Sequence, residues 1–346
     1  MPSKYRPKNT AYLNQPHSGR KSPPTGTDAD LNLSTLTRLF SDETAVREFL
    51  EAKRWGKVGR HCPHCGCTTT YALVAKPGSK SPVRPGVYKC KACRQQFTVR
   101  IGTIFDESKL PLSKWLMAIH LMTSSKKGIS SHQISRELGC TQKTAWFLNH
   151  RIREAMRQEP LAGMLSGNVE MDETYVGPRR VRKHSGKPSK RGRGTEKKPV
   201  LVLIERDGRA RSMPIPNATG ATLRAEALSH VDPSAVVHSD EWSGYRKMKH
   251  HFASHRTVNH AADEYSRCDD DGVIAGVNTA ESFFALLKRG HYGSFHHFSR
   301  KHTHRYCDEF SFRWDHRKIS DGERMVAAIE GAEGKRLMYR EPVSAE

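Results

Sequence analysis

Three carboxylates in this sequence have surroundings typical of residues that hold divalent cations. Asp172 interrupts the alternating strand pattern NVEMDETYV, Asp240 ends the apolar strand pattern SAVVHSDE, and Glu281 lies in the amphipathic helix pattern NTAESFFALLKRG. Together they can converge on a pair of Mg²⁺ or Mn²⁺ ions, because hard cations prefer carboxylate oxygens. Two such metals would clamp the attacking and leaving oxygens of a phosphoryl displacement. Each acid alone is better explained as a turn residue, a helix N-cap or a solvated position.

Two Cys-x-x-Cys pairs form a second constellation. They are Cys62, Cys65, Cys90 and Cys93. Each pair can wrap two thiolates around one metal, so the four sulfurs supply the tetrahedral set that one structural Zn²⁺ prefers. Unrelated buried cysteines and a redox pair are the alternatives, and the doubled spacing favours zinc. The neighbouring side chains of His61, His64 and Cys67 are possible substitute ligands.

The sequence pattern of segment 111–158 is typical of a helix-turn-helix. A short helix SHQISREL is followed by Gly139, which allows a sharp turn, and by a second helix that Thr141 caps. In such motifs the amino-terminal residues of the second helix face a DNA groove, here Thr141, Gln142 and Lys143. The alternative is a helical bundle that only connects domains.

The net charge of the chain predicts a polyanionic partner. Lys and Arg exceed Asp and Glu by 22, and the pI is about 9.8. This excess favours nucleic acid over a membrane, and no apolar run approaches the roughly 20 residues of a bilayer span. The charged amino terminus MPSKYRPKNT lacks the apolar region of a secretion signal. We therefore expect no membrane association and a cytoplasmic location.

A basic run follows Asp172 closely. Residues 178–199 hold ten Lys or Arg against one acid, Glu196. One interpretation is a solvated, flexible hairpin loop. The other is a loop that holds the phosphate backbone of DNA without reading its sequence. The residues expected to contact DNA in this way are Arg179, Arg180, Arg182, Lys183, Lys190, Arg191 and Arg193.

The patterns divide the α/β chain into five parts. We predict a disordered basic tail over 1–34, a helix plus zinc ribbon over 35–104, a helix-turn-helix over 108–160, a catalytic domain over 165–320 and a carboxyl-terminal tail over 321–346. Low hydrophobicity and many Pro, Ser, Lys and Gly residues indicate the first tail.

A His-x-His pair with a nearby tyrosine, HTHRY at 302–306, has the residue types of a tyrosine nuclease that cuts single-stranded DNA. Such sites need the two histidines on a strand around a bulky apolar residue, whereas Thr303 intervenes here. The surrounding sequence FSRKHTHRYCDEFSFRW has the period of an amphipathic helix. Packing therefore explains His302 and Tyr306 better than nucleophilic chemistry does.

The order of these motifs resembles the ISXO2-like group of bacterial insertion-sequence transposases over roughly residues 35–318. The block Asn-x-x-Glu…Leu-Lys-Arg-Gly is its most specific part. The resemblance implies an RNase-H-like (retroviral-integrase-type) α/β catalytic domain that uses Mg²⁺ and an Asp-Asp-Glu triad. Its site residues would be the triad Asp172, Asp240 and Glu281 with their companions Asn278 and Lys288.

The implied function is DNA transposition. The protein would bind the terminal repeats of its element in double-stranded DNA, cleave a strand and join it to target DNA, as a homo-oligomer on DNA in the nucleoid of a bacterial cell. A DNA-binding derivative without catalysis and a metal-dependent nuclease are the alternatives. The chain departs from the family pattern at Gly276, where we expect His, and at Asp315, where we expect Asn. Strand alternation should turn Glu173 and Glu241 away from the site.

Overall fold

The computed structural model describes residues 27–74, 83–158, 163–177 and 197–339, and its first part consists of five helices and a small sheet. The helices are α1 (Leu33–Phe40), α2 (Glu43–Trp55), α3 (Leu112–Ser124), α4 (Ser131–Leu138) and α5 (Gln142–Met156). Three short antiparallel strands pair in chain order: β1 (Thr70–Ala72), β2 (Tyr88–Cys90) and β3 (Gln96–Phe97). None of the helices in the described ranges is long and apolar enough to cross a membrane.

The boundaries of α4 and α5 follow from local capping. Ser130 accepts a hydrogen bond from the backbone N–H of Gln133 at 3.2 Å, and Thr141 accepts one from that of Thr144 at 3.2 Å. Each bond satisfies one of the free donors in the first turn of its helix. Gly139 ends α4 in the left-handed conformation with φ of 56°, where a side chain would be strained. The predicted helix, turn and second helix are therefore present.

A mixed five-stranded sheet is the centre of the second part. Its strands are β4 (Asn168–Val176), β5 (Lys198–Glu205), β6 (Ala210–Pro214), β7 (Val236–Asp240) and β8 (Ser254–Val258). They are arranged in the order β6-β5-β4-β7-β8. β4, β5 and β6 pair antiparallel, whereas β7 runs parallel to both β4 and β8. β4 is thus the central strand, paired on both edges.

Strand β5 is apolar from Pro199 to Ile204 because helices cover both faces of the sheet. Leu201 and Leu203 point into one core with Val169, Met171 and α6 (Gly220–His230). Val200, Val202 and Ile204 point into the opposite core, which contains α7 (Asn278–Gly290) and α8 (Thr303–Asp315). A short antiparallel pair, β9 (Ser266–Cys268) and β10 (Ile274–Gly276), precedes α7. The strands and helices expected from the apolar periods are confirmed.

The carboxyl-terminal part, predicted over 321–346, begins with a helix. Asp321–Glu330 form helix α9, which buries Met325 and Ile329 in the core of the amino-terminal helices. The start of the chain is likewise ordered earlier than expected, since Leu31 belongs to the same core. Both segments have an apolar face that this core covers. Burial of that face keeps them folded although they lie near the ends of the chain. The rest of the predicted first tail, 1–26, lies outside the described residues.

A buried ion cluster joins α5 to α8. Glu309 is fully buried, and its carboxylate lies 2.6 Å from Arg153 of α5 and 2.6 Å from Arg313. Burial alone would favour the neutral acid, but the two guanidinium groups hold the pKa of Glu309 below its usual value. The charges compensate one another inside the protein. The cluster therefore fixes the helical part of the chain against the layer that covers the sheet.

Replacing Glu309→Gln should destabilise the protein by about 3–5 kcal/mol, because it leaves two buried guanidinium groups without a counter-charge. The measurement is the free energy of unfolding in urea. Glu137→Gln is the control, since Glu137 is exposed on α4, and it should change this energy by less than about 0.5 kcal/mol. Equal effects of the two changes would contradict the assignment of the cluster as a structural link.

Candidate functional site

The four predicted cysteines form one cluster. The sulfurs of Cys62, Cys65, Cys90 and Cys93 all lie within 4.8 Å of one another. Cys62 is 3.6 Å from Cys93, and Cys65 is 3.6 Å from Cys90, measured between sulfurs. Two turns at the same end of the small sheet, where Thr70 pairs with Cys90, thus bring both pairs together. The cluster has the donor set and the spacing of a structural zinc site.

Backbone amides of these turns stabilise sulfur charge. The N–H of Cys93 is the main cause of a lowered pKa at Cys90, which favours the thiolate that binds metal. The possible substitute ligands are engaged elsewhere: Cys67 lies 3.9 Å from the carbonyl of Thr69, and the ring of His61 contacts the carbonyl of Gly59. Neither is part of the four-sulfur set, so the four cysteines suffice.

The face of the sheet that α7 covers carries two of the three acids. Asp172 pairs with Val202, which belongs to the core on the α7 side. Asp240 ends β7 and shares a face with His238, since residues two apart on a strand point the same way. Glu281 lies in the first turn of α7, where it is exposed. The structure therefore brings all three predicted acids to one side of the sheet.

The charges of Asp240 and Glu281 both contribute to the pKa of Asp172. The pKa of Asp172 is raised to about 8, first by burial and then by the charge of Glu173, with further contributions from Asp240 and Glu281. A hydrogen bond from the backbone N–H of Glu173, at 2.7 Å, opposes this shift. Without a cation, therefore, the arrangement disfavours the ionised form of Asp172 at neutral pH.

A divalent cation fits this donor set on physical grounds. Several like-charged carboxylate oxygens gathered around a partly buried aspartate repel one another, and a hard cation would offset that repulsion. The acids are not as tightly gathered as the cysteines. Among the described residues, only the four cysteines form a set of three or more metal-ligating side chains within 4.8 Å of one another. The acids would have to approach further to share a cation.

Asn278 and Lys288, the predicted companions of the three acids, lie near opposite ends of α7. Asn278 is the first residue of the helix and is exposed, as is Lys288 near its end. The ammonium of Lys288 lies 5.8 Å from the centre of the Phe284 ring. Lys288 is thus two turns beyond Glu281 and free to reach a phosphate on the solvent side.

The two acids next to the aspartates point elsewhere, as predicted. Glu173 pairs with Leu201, on the face opposite α7, and accepts a hydrogen bond from the hydroxyl of the buried Tyr245. Burial, followed by the charge of Glu173, raises the pKa of that tyrosine well above its usual value. Glu241 accepts hydrogen bonds from the backbone N–H groups of His260, at 3.0 Å, and Ala261.

The predicted DNA-contacting residues of α5 lie at its exposed start. Thr141 is the N-cap, and all three residues of Thr141–Lys143 are exposed. Gln142 donates to the hydroxyl of Ser131 at 3.1 Å, and the ammonium of Lys143 lies 5.1 Å from the Tyr339 ring centre. The later residues Arg151 and Arg153 are buried. Only the first turn of α5 is thus available to a ligand.

The predicted basic contacts from Arg179 to Arg193 lie outside the described residues. The strands on either side are described, and Val176 of β4 pairs with Lys198 of β5. This pair is four positions along β4 from Asp172. The described residues on either side, Gly177 and Lys197, therefore lie next to each other at one end of the β4–β5 pair.

The HTHRY segment packs as a helix. His302 precedes α8, and the Tyr306 ring, 8% exposed, stacks on Phe298 with ring centres 4.0 Å apart. The residues at the two departures from the family pattern both accept hydrogen bonds. Asp315 accepts hydrogen bonds from the backbone N–H of Ala210 at 2.7 Å and from Gln158 at 2.6 Å, and the carbonyl of Gly276 accepts one from Arg206. Neither departure replaces an acid of the site.

Polar residues that the sequence reasoning missed surround the site. Glu170, two residues before Asp172, is 2% exposed and forms an ion pair with Arg206 at 2.8 Å. His238, two residues before Asp240, is fully buried, and burial lowers its pKa to about 4. The only sequence signal was a polar residue at an inward position of each strand, on the same face as the acid that follows.

Similarity to known families defines the class of protein. A model of the ISXO2-like transposase domain matches residues 164–315, which include the three acids. A model of the transposase zinc-ribbon domain matches residues 41–96, which include the four cysteines. The two matched domains together define the class of a transposase with an amino-terminal zinc ribbon. The chain belongs to the ISXO2-like transposase family.

A relative from Halobacterium salinarum is described as an uncharacterized protein in the transposable element ISH50. It is 29% identical over 263 residues, which cover 73% of this chain and 84% of the relative. Two crystal structures are also similar. The Mos1 strand transfer complex has 10% identity and a TM-score of 0.25, covering 64% of this chain and 79% of that one. The pre-cleavage Mos1 transpososome has 14% identity and a TM-score of 0.21, covering 60% and 75%. Scores this low carry no argument about the fold.

Purified protein should contain about one zinc per chain, since four cysteines complete one tetrahedral site. Cys90→Ser should lose that zinc and unfold the small sheet around it. Atomic absorption gives the metal content, and circular dichroism gives the fold. Cys268→Ser is the control, because Cys268 is exposed and far along the chain from the cluster. Full zinc content in Cys90→Ser would refute the ligand assignment.

Asp172→Asn should stabilise the zinc-loaded protein in the absence of Mg²⁺ and Mn²⁺. In the folded state the pKa of Asp172 is about 8, above the roughly 3.9 of an unfolded chain. Wild-type stability should therefore fall as pH rises from about 4 to about 8, because folding then requires a proton that the unfolded chain has released. Asp172→Asn has no carboxyl group at this position, so its stability should not show this decrease.

The advantage of Asp172→Asn in free energy of unfolding should thus grow across this window and level off above it. Urea unfolding at a series of pH values measures it. Asp207→Asn, in an exposed turn, should give a difference that does not change with pH. The same flat profile for Asp172→Asn would show that this carboxylate is not the titrating group.

Proposed function

We propose that this protein is the DNA transposase of an insertion sequence, which binds the ends of its element and catalyses metal-dependent strand cleavage and strand transfer. One observation carries the proposal. In a chain of the ISXO2-like transposase family, Asp172, Asp240 and Glu281 lie on one side of the sheet, where burial and then the charge of Glu173 raise the pKa of Asp172 and the charges of Asp240 and Glu281 contribute less. Surface acids that only solubilise a protein do not need this arrangement.

We infer that the catalytic domain, over 165–320, has an RNase-H-like fold. The support is the order β6-β5-β4-β7-β8, with three antiparallel strands followed by two parallel ones. In this arrangement the start of α7 packs against Glu170 of β4. The zinc ribbon over 35–104 and the helix-turn-helix over 108–160 would precede it as DNA-binding parts.

The chemistry assigned to the site is phosphoryl transfer. Two divalent cations, Mg²⁺ or Mn²⁺, would supply charge neutralisation at the reacting phosphate when bound by Asp172, Asp240 and Glu281. In the first reaction, water attacks a phosphodiester and releases a 3′-hydroxyl. In the second, that hydroxyl attacks a target phosphodiester, and the bond to the target's own 3′ oxygen breaks. Asn278 and Lys288 would orient the phosphate from α7.

Two surfaces would hold the DNA. The exposed first turn of α5, with Thr141, Gln142 and Lys143, would read the element's ends in a groove, as the second helix of a helix-turn-helix does. The basic residues from Arg179 to Arg193 would hold the phosphate backbone without sequence preference. Both ends of a mobile element must be processed together, so we propose a homo-oligomer assembled on double-stranded DNA.

Asp172→Asn, Asp240→Asn and Glu281→Gln should each abolish cleavage of a labelled element end and its transfer into target DNA. Each change keeps the shape of the side chain and removes a charge that metal binding requires. Losses of at least about 1,000-fold are expected, and double changes should add little, because the acids act as one unit. Lys288→Ala should be milder. The assay uses purified protein with Mg²⁺, and binding of the end is measured in parallel.

The control is Glu173→Gln, which keeps an acceptor for the Tyr245 hydroxyl on the opposite face and should retain cleavage. Robust cleavage by Asp240→Asn would overturn the mechanism. End binding without cleavage by the wild type would favour an inactive DNA-binding derivative, and cleavage without joining would favour a nuclease.

A further inference from the structure

The start of helix α7 lacks a cap of its own. Val277 occupies the N-cap position and has no side-chain acceptor for the free N–H groups of the first turn. Glu170 of β4 supplies it. One of its carboxylate oxygens accepts from the N–H groups of Thr279 at 2.7 Å and Ala280 at 3.0 Å. The negative charge also lies at the positive end of the helix dipole.

The second carboxylate oxygen of Glu170 is also fully engaged. It accepts from the hydroxyl of Thr279 at 2.9 Å and from the Nε of Arg206 at 2.8 Å. Four donors therefore converge on one side chain that is 2% exposed. Such a carboxylate is held in one position, because rotation would break several bonds inside the protein at once.

Arg206 extends this network to the segment that leads into α7. Its guanidinium donates to the carbonyl of Gly276 at 2.9 Å and to that of Ile274 in β10. It also donates to Nδ1 of His238 at 3.4 Å. An arginine can only donate, so Nδ1 accepts and the imidazole proton is on Nε2. That nitrogen lies 3.0 Å from the side-chain oxygen of Asn168.

The network therefore joins the three elements that carry the acids. Asn168 and Glu170 are on β4 with Asp172, and His238 is on β7 with Asp240. Thr279 is two residues before Glu281 on α7. Glu170 and His238 each lie two positions before an acid of the same strand, so each side chain points to the same face as that acid. In each of the three elements, a residue of the network thus precedes the acid by two positions in the sequence.

We propose that Glu170 is a positioning residue, which, through its bonds to the first turn of α7 and to Arg206, sets the distance of Glu281 from Asp172 and Asp240. This inference rests on the proposed function, since it assumes that the three acids hold metal together. The acids lie near one another but do not share a tight cluster, so a small displacement of α7 decides whether they can bind the same ion. A misplacement of about 1 Å in such a site costs around 100-fold in rate.

The test compares Glu170→Gln with wild type. The amide keeps the shape but offers one acceptor oxygen instead of two, so it cannot serve the N–H groups of α7 and Arg206 together. Hydrogen exchange at Thr279 and Ala280 should become faster. Mn²⁺ affinity at the site, taken as the binding that Asp172→Asn removes, should fall about 10-fold or more. The rate of cleavage should fall about 100-fold, while the affinity for the element's end stays within about twofold of wild type. A higher Mn²⁺ concentration should restore part of the cleavage rate.

Thr279→Val removes a single donor to Glu170 at constant shape, and it decides the question if Glu170→Gln does not fold. Its Mn²⁺ affinity should fall by a smaller factor, about threefold. Glu205→Gln is the matched control, because Glu205 also accepts from a backbone N–H, that of Ser166 at 2.9 Å, and pairs with Arg209, but makes no bond to α7. It should leave Mn²⁺ affinity and cleavage within about twofold of wild type.

The outcomes separate this inference from the proposed function. If wild type binds Mn²⁺ at the site but does not cleave DNA, the proposed function fails, and the Mn²⁺ affinities still decide the role of Glu170. If the folded Glu170 and Thr279 variants bind Mn²⁺ and cleave like wild type, Glu170 only stabilises the fold and the inference is overturned. If wild type shows no Mn²⁺ binding that depends on Asp172, both proposals fail.

Discussion

The arrangement of the catalytic half depends on one strand, β4, which is paired on both edges and covered on both faces. Because its side chains alternate, Asn168, Glu170 and Asp172 all point towards α7, while Val169 and Met171 fill the core on the α6 side. A polar residue at every second position of a central strand is costly unless each finds a partner. The partners come from β5, β7 and α7, and this requirement fixes how those elements meet.

The three polar residues on that face have different partners. Asn168 contacts His238, and Glu170 binds Arg206 and the start of α7. Asp172 accepts a hydrogen bond from the backbone N–H of Glu173, and burial, followed by the charges of neighbouring acids, raises its pKa. The same strand thus contains both a network of paired charges and a carboxylate close to other acids. A carboxylate with a raised pKa next to a stable hydrogen-bond network is typical of sites that bind a ligand.

Sequence periodicity predicted most of the elements and all three acids, because Asp172, Asp240 and Glu281 interrupt or border clear apolar patterns. It also predicted the cysteine cluster, whose spacing is local. It could not predict the role of Glu170, because its partners Thr279 and Ala280 are 109 and 110 residues away in the chain. Arg206 lies in the sequence ERDG, which reads as a turn. The packing of helix α9 could not be predicted either, because the core that covers its apolar face comes from distant segments.

The position of α5 has a consequence for how the two halves work together. Its first turn is exposed, but Arg153 near its end is held by the buried carboxylate of Glu309 on α8, and α8 packs on the same side of the sheet as α7. A DNA end bound at the first turn of α5 would therefore be connected to the acidic site through the packed helices α5 and α8. The distance from the recognised sequence to the cleaved bond would then be set by the fold itself.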